Sequence, residues 1–337
     1  MTPLFTIGIP AYNAMPYLPE AVESALRQTY PNFELLIIND GSQDGSLEYL
    51  RSVDDSRLRI ISQENRGLTA TLNRMLAEAR APWLVRLDAD DVASPKRLAL
   101  VAEALERQPA AGMFYSHASH YGHMPAIAAS RSTKGTPAEL RHLTRAGYLL
   151  SIVHSSVVLN VARTRALGGY RFDLHVEDLD LWWRMALRHD IIFLPQLTVR
   201  YRLKHDGICI NSLETLSANT LFAQYLLLSQ LWGLEPRPYE AVIGALSSLV
   251  DKSRLAYREQ MWLAAAHLSA RRYRRVVPRL VRAALHAPAH FLRRVTYPFR
   301  RREMVRLGAD PRLFRRMQQR LWKVSCNYAC GAALHDL

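Results

Sequence analysis

Three carboxylates, Asp88, Asp90 and Asp91, fall within the six-residue run Arg86-Leu87-Asp88-Ala89-Asp90-Asp91. Packed that closely, they repel one another unless a cation or hydrogen-bond donors compensate. A divalent ion is the simplest compensation, because Mg2+ and Mn2+ take oxygen ligands and commonly bridge one or two carboxylates to substrate phosphates. A short D-x-D by itself is also a good acidic turn or helix cap. A second acidic pair, Glu177-Asp178, opens the run Leu179-Asp180-Leu181-Trp182-Trp183-Arg184. Such a pair suits proton transfer, and it equally complements the dipole of a helix start whose core face is Leu179, Leu181, Trp182 and Met185.

The elements that must position these groups are legible in the first 95 residues. Apolar β-like runs at Phe5–Ile9, Glu34–Asn39, Leu58–Ser62 and Trp83–Leu87 alternate with helical patterns at Leu18–Gln28, Ser46–Val53 and Leu68–Ala79. This βαβαβαβ alternation predicts an α/β fold with a mostly parallel central sheet, and ligands beyond the carboxyl ends of its strands. The polar segments Pro10–Asn13, Asp40–Ser42 and Asp88–Asp91 each follow a strand, so three loops converge on one edge. From Pro95 to Arg202 a helix near Arg97–Arg107 mixes with short strands at Gly112–Ser116 and Ser156–Leu159, in a topology the pattern does not fix. Beyond about Asn211 the periodicity is helical, which places a catalytic domain at 1–210 and a smaller all-helical, basic module at 211–337. Pro278, Pro288 and Pro298 are expected to start or interrupt helices there.

The motifs Thr6-Ile7-Gly8-Ile9-Pro10-Ala11-Tyr12-Asn13, Ser24 with Gln28-Thr29-Tyr30, Ile37 to Gly45, Leu87 to Asp91 and Val176 to Arg184 together resemble the family 2 glycosyltransferases, over roughly residues 4 to 205. The resemblance implies the GT-A fold, a nucleotide-diphospho-sugar donor (uridine favoured) and a Mn2+ or Mg2+ cofactor. By that resemblance Pro10, Tyr12, Asn13, Asp40, Arg66, Asp88 and Ala89 line the donor site. Tyr12 has the chemistry to stack on a base, and Asp40 to accept from a base N–H. Asp90 would be the main metal ligand, with Asp88 and His205 as further candidates, and the ion would stabilise the departing diphosphate. Asp178 corresponds to the general base that takes the acceptor hydroxyl's proton, giving one inverting displacement. Glu177, His154 and one of Trp182 and Trp183 are candidates for supporting the site or the acceptor. The chain departs from the family where Asn39 stands at a position often held by Asp, which leaves the choice of nucleotide open. It also lacks the Q-x-x-R-W run and membrane spans of the processive synthases, so single-sugar transfer to a glycan or lipid-linked acceptor in surface-polysaccharide synthesis is expected.

Bulk properties bound the alternatives. With 337 residues, 49% hydrophobic and 22% charged, the chain reads as globular and neither disordered nor fibrous. Cys209, Cys326 and Cys330 are too few for a disulfide framework, and no signal segment or stretch of about 18 apolar residues stands out, so a cytoplasmic protein is expected. The net charge of +14 is concentrated between Arg271 and Lys323, where 17 Lys and Arg face only Glu303 and Asp310. That surface suits an anionic membrane, with peripheral contact on the cytoplasmic face, or else a solvated bundle face. Nucleic-acid binding would leave the carboxylates at Asp88–Asp91 unexplained, so no nucleic-acid partner is expected. A non-catalytic sugar-nucleotide binder is the remaining alternative.

Overall fold

The computed structural model of the protein describes residues 2–122, 132–203, 213–269, 271–296 and 306–322. The chain divides into two compact units, one built from residues up to Arg202 and one from the helices that follow, with Ala146–Tyr148 belonging to the second.

In the first unit β1 (Phe5–Ala11), α1 (Leu18–Leu26), β2 (Phe33–Asp40), α2 (Ser46–Ser52), β3 (Leu58–Gln63), α3 (Leu68–Glu78) and β4 (Trp83–Arg86) follow the predicted alternation. Then come β5 (Val92–Ala93), α4 (Arg97–Arg107), β6 (Ala111–Gly122), α5 (Pro137–Arg145), β7 (Leu149–Leu150), β8 (Val157–Asn160), α6 (Val161–Ala166), α7 (Glu177–Arg188) and β9 (Asp190–Leu203). An eight-stranded sheet has the order β3-β2-β1-β4-β8-β6-β9-β5. Its half β3-β2-β1-β4 is parallel, and β8 pairs antiparallel with both β4 and β6, as β5 does with β9.

All eight residues of β2 are buried, as expected of a strand covered on both faces. The one acid among them inside the strand, Glu34, is satisfied by the Thr6 hydroxyl at 2.6 Å and the Arg80 N–H at 2.8 Å. Gly8 in β1 is required by close approach, since a Cβ there would lie 2.1 Å from Sδ of Met75 on α3. With Ala11 opposite Asn39 and Asp40 opposite Gln63, the parallel strands end together and deliver their loops to one edge.

The second unit holds α8 (Leu213–Trp232), α9 (Tyr239–Ser247), α10 (Lys252–Ser269), α11 (Tyr273–His286), α12 (Pro288–Thr296), a two-residue strand β10 (Arg306–Leu307), α13 (Pro311–Arg316) and α14 (Gln318–Trp322). Helix α8 is apolar on nearly every side and buried accordingly. Its buried Gln224 is satisfied by the Gly147 and Ala309 carbonyls and the Ala309 N–H. Pro288 opens α12 as expected, whereas Pro278 lies inside α11 rather than breaking it. Pro278 is exposed, so water can satisfy the Arg274 carbonyl that loses its helical donor. Pro298 lies outside the described residues, and among those described no helix is long and apolar enough to cross a membrane.

Candidate active site

The two loops after β1 and β2 are stitched together through side chains. Three successive N–H groups, of Asn13, Ala14 and Met15, donate to Ser42 Oγ (3.0 Å), Ser46 Oγ (3.1 Å) and Asp44 Oδ2 (2.8 Å). Asn13 Oδ1 accepts in return from the Gln43 N–H at 2.8 Å. Asn13 holds a left-handed φ of 45°, a conformation Asn tolerates better than most residues. Tyr12, beside it, remains 53% exposed, with its ring open to a ligand. Asn39 donates to Ser62 Oγ and accepts from the Ser42 N–H, using both ends of its amide. Asp40, nearly buried, accepts at Oδ1 from Gln63 Nε2 (2.7 Å) and the Arg66 N–H (2.9 Å), which ties the third loop in as well.

The acidic loop after β4 contains three carboxylates in three settings. Burial alone would raise Asp88, but the Arg86 guanidinium 2.6 Å away, with His154 and the Ser155 hydroxyl, holds it down to about 2. Asp91 is fully buried; burial, and then the charges of Asp88 and Asp90, push it well above the usual carboxylate range. Its Oδ1 accepts the Arg202 N–H at 2.8 Å, and the Arg202 side chain donates to the Asp90 carbonyl. Asp90 is half-buried. A brace holds the chain after the loop: Gln28, just past the end of α1, spans the Ser94 carbonyl and the Leu98 N–H, and Ser24 Oγ accepts from the Ala93 N–H. The Ser24 and Gln28 positions are thus structural, pinning the segment that follows the acids.

A single 3-10 turn, His154–Ser156, joins this loop to the second acidic pair. Ser155 Oγ donates to Asp88 Oδ2 at 2.6 Å and accepts the Asp88 N–H at 3.0 Å. On the same turn, His154 Nε2 meets Tyr170 Oη at 2.9 Å and Nδ1 lies 3.9 Å from Glu177 Oε1. Burial, reinforced by Arg86, pushes His154 down to about 3, so it is neutral at physiological pH. Glu177 and Asp178 begin α7, and burial raises both. Asp178 reaches about 8, with the Glu177 charge the next cause and Asp88 a smaller one. The turn Gly168-Gly169-Tyr170 is fixed from two sides. Asn73 bonds both the N–H and carbonyl of Tyr170, and Arg184 donates to the Leu167 and Gly169 carbonyls. Buried Asp180 holds Arg184 and Arg171 through paired hydrogen bonds.

Residues 6–158 match the model of the family described as Glycosyl transferase family 2. Over that segment, a little under half of the chain, the protein is similar to glycosyl transferase family 2. An uncharacterized glycosyltransferase of Haemophilus influenzae is 38% identical over 108 residues, 31% of this chain and 33% of that protein. Chondroitin synthase of Pasteurella multocida is 38% identical over 100 residues, 29% of this chain and 10% of that protein. The matched region thus spans a third or less of these relatives' length. The solved S. aureus TarS 1-349, in complex with UDP-GlcNAc, superposes with a TM-score of 0.54 at 13% identity, covering 83% of this chain and 91% of that one. That likeness bears on the fold alone, and it identifies the α/β unit as GT-A.

Among the described residues, no three His, Cys, Asp or Glu groups gather as a metal cage. An ion shared with a diphosphate needs only one or two protein carboxylates, so the carboxylate chemistry of the loop fits such an ion. Asp88 already spends both oxygens on Arg86 and Ser155. His205 lies outside the described residues. Ala89 sits between the two acids, Pro10 is half-buried one residue before the end of β1, and Arg66 contributes its N–H to Asp40. The expectation that Trp182 or Trp183 offers a face to an acceptor is corrected, since they are 0% and 4% exposed. Trp182 instead packs edge-on against His154 at 5.6 Å, beneath the site. Sequence reasoning passed over Arg86, Ser155, Tyr170 and Arg202 without giving any of them a role. Arg86, two residues before Asp88 at the end of an apolar strand, was the one with a readable signal.

Proposed function

We propose that this chain is an inverting, non-processive transferase that moves a sugar from a nucleotide-diphospho-sugar to a hydroxyl of a glycan or lipid-linked acceptor. The observation that carries the reading is the His154–Ser156 turn, whose adjacent residues contact Asp88 on the donor side and Glu177, next to Asp178, on the acceptor side. Tyr12 and Asp40 receive the base, with uridine our choice, and Asn13 fixes the loop that carries Tyr12. Asp90, aided by Asp88, would hold a Mn2+ or Mg2+ ion, whose charge would stabilise the departing diphosphate. Asp178 accepts the proton of the attacking hydroxyl, and one displacement inverts the anomeric centre. Its raised proton affinity brings it closer to an alcohol's than an ordinary carboxylate's would be, which favours transfer in the transition state. Surface-polysaccharide assembly in the cytoplasm is the setting we propose.

Calorimetry of UDP, GDP and dTDP with and without Mn2+, on the intact protein and Asp90→Ala, tests the donor half. Metal-dependent binding of UDP, lost in the variant, is expected. Absence of binding by every nucleotide to folded protein would overturn the reading. A ladder of products on one acceptor would overturn the non-processive part.

A further inference from the structure

The second unit carries a surface that the transfer chemistry does not use. Nine large hydrophobic side chains are exposed among the described residues, and six of them lie between Leu268 and Leu292. Tyr273, Val277, Val281 and Leu285 are four residues apart on α11, so at about 100° per residue they form one slanting row along the helix. They are 61%, 64%, 52% and 75% exposed, and Leu268 on α10 and Leu292 on α12 extend the apolar surface. The rest of the apolar arc is already used, since Ala283, with Ala287 just beyond the helix, packs on Tyr257 of α10, supported by Met261 and Phe291. Helix α11 is therefore apolar over a wider arc than its neighbour covers.

The charge beside the row has one sign. Between Arg271 and Leu292 there is no Asp or Glu, while Arg271, Arg272, Arg274, Arg275 and Arg282 are exposed. A packed protein partner would need acids to meet those arginines. A second copy of this surface would bring like charges together, and a nucleic acid would answer the arginines but leave the valines and leucine in water. An anionic lipid surface answers both, because its headgroups pair with guanidinium groups while its acyl boundary takes the apolar row.

We infer that the α11 face bearing Tyr273, Val277, Val281 and Leu285 docks in the plane of an anionic bilayer, with its flanking arginines on the lipid headgroups. This rests on the second unit alone and stands or falls independently of the transferase reading. The test is flotation of the full chain with vesicles of phosphatidylglycerol and phosphatidylcholine against phosphatidylcholine alone, for the native chain and a Val277→Ser, Val281→Ser, Leu285→Ser variant. All three positions are exposed, so circular dichroism and melting should not change. The native chain should partition at least tenfold more strongly to the anionic vesicles, and the variant should lose at least tenfold of that binding. Four results would each overturn the inference. They are no vesicle binding by the folded chain, binding that the variant keeps in full, a dimer in light scattering that the variant converts to monomer, and a stronger, variant-sensitive gel shift with RNA or duplex DNA.

Discussion

If Asp178 is the base, the acid limb of kcat/KM should lie far above the ordinary carboxylate range. With the group at about 8, about 1% of the enzyme is correctly ionised at pH 6 and about half at pH 8, a rise of about 50-fold. Burial is the main cause and the Glu177 charge the next, so Glu177→Gln should move the limb to lower pH and raise activity at pH 6 to 7. Asp178→Asn should lower the rate by about 10²- to 10⁴-fold and remove the limb. The assay is nucleotide release from the donor across pH 5 to 9 with metal in excess, with water as the acceptor whose proton Asp178 takes, so no glycan acceptor need be known. A second readout uses stability. The folded-state value is raised above the unfolded value near 3.8, so the ionised carboxylate costs stability as pH rises between the two values and leaves it unaffected below both. The Asn variant should thus melt higher than the native chain at pH 8 and equally at pH 3, by about 2–4 °C per kcal/mol recovered. A flat profile between pH 6 and 8, or an Asn variant that keeps the limb, would refute the assignment. A limb that ignores Glu177→Gln would refute the electrostatic cause alone.

Tyr12→Ala should weaken nucleotide binding by about ten- to a hundredfold, the worth of one base stack, without moving Tm, because the ring is mostly exposed. Unchanged affinity in calorimetry would remove Tyr12 from the donor site. Asp180→Ala leaves Arg184 and Arg171 without their buried partner and should cost about 3–5 kcal/mol in urea denaturation, since unpaired buried charge is expensive. A loss under 1 kcal/mol would show that the pair does not anchor the Gly168–Tyr170 turn.

The parallel half of the sheet was legible because each strand is a short apolar run ended by a polar loop, and neighbours in sequence are neighbours in space. The antiparallel half was not. β8 inserts between β4 and β6 through pairs such as Leu84 with Leu159 and Met113 with Leu159, which no local pattern announces. β9, from Asp190 to Leu203, went unseen altogether. At the site, the carboxylates were readable by type and spacing. Ser155 was not, because a serine near a strand start is ordinary until a partner 67 residues away defines it. The tryptophans misled for a related reason: adjacent helical positions usually split between core and surface, but α7 is covered on both sides and buries both.

The His154–Ser156 turn has a thermodynamic meaning apart from its geometry. Asp88 contributes to the proton affinity of Asp178, and in the proposed mechanism Asp88 lies where the donor binds. Linkage is reciprocal, so whatever factor donor occupancy applies to the proton on Asp178, that proton applies to the donor's affinity. Loading and acceptor activation then become one coupled equilibrium, in which the proton count of the base sets how tightly the nucleotide is held.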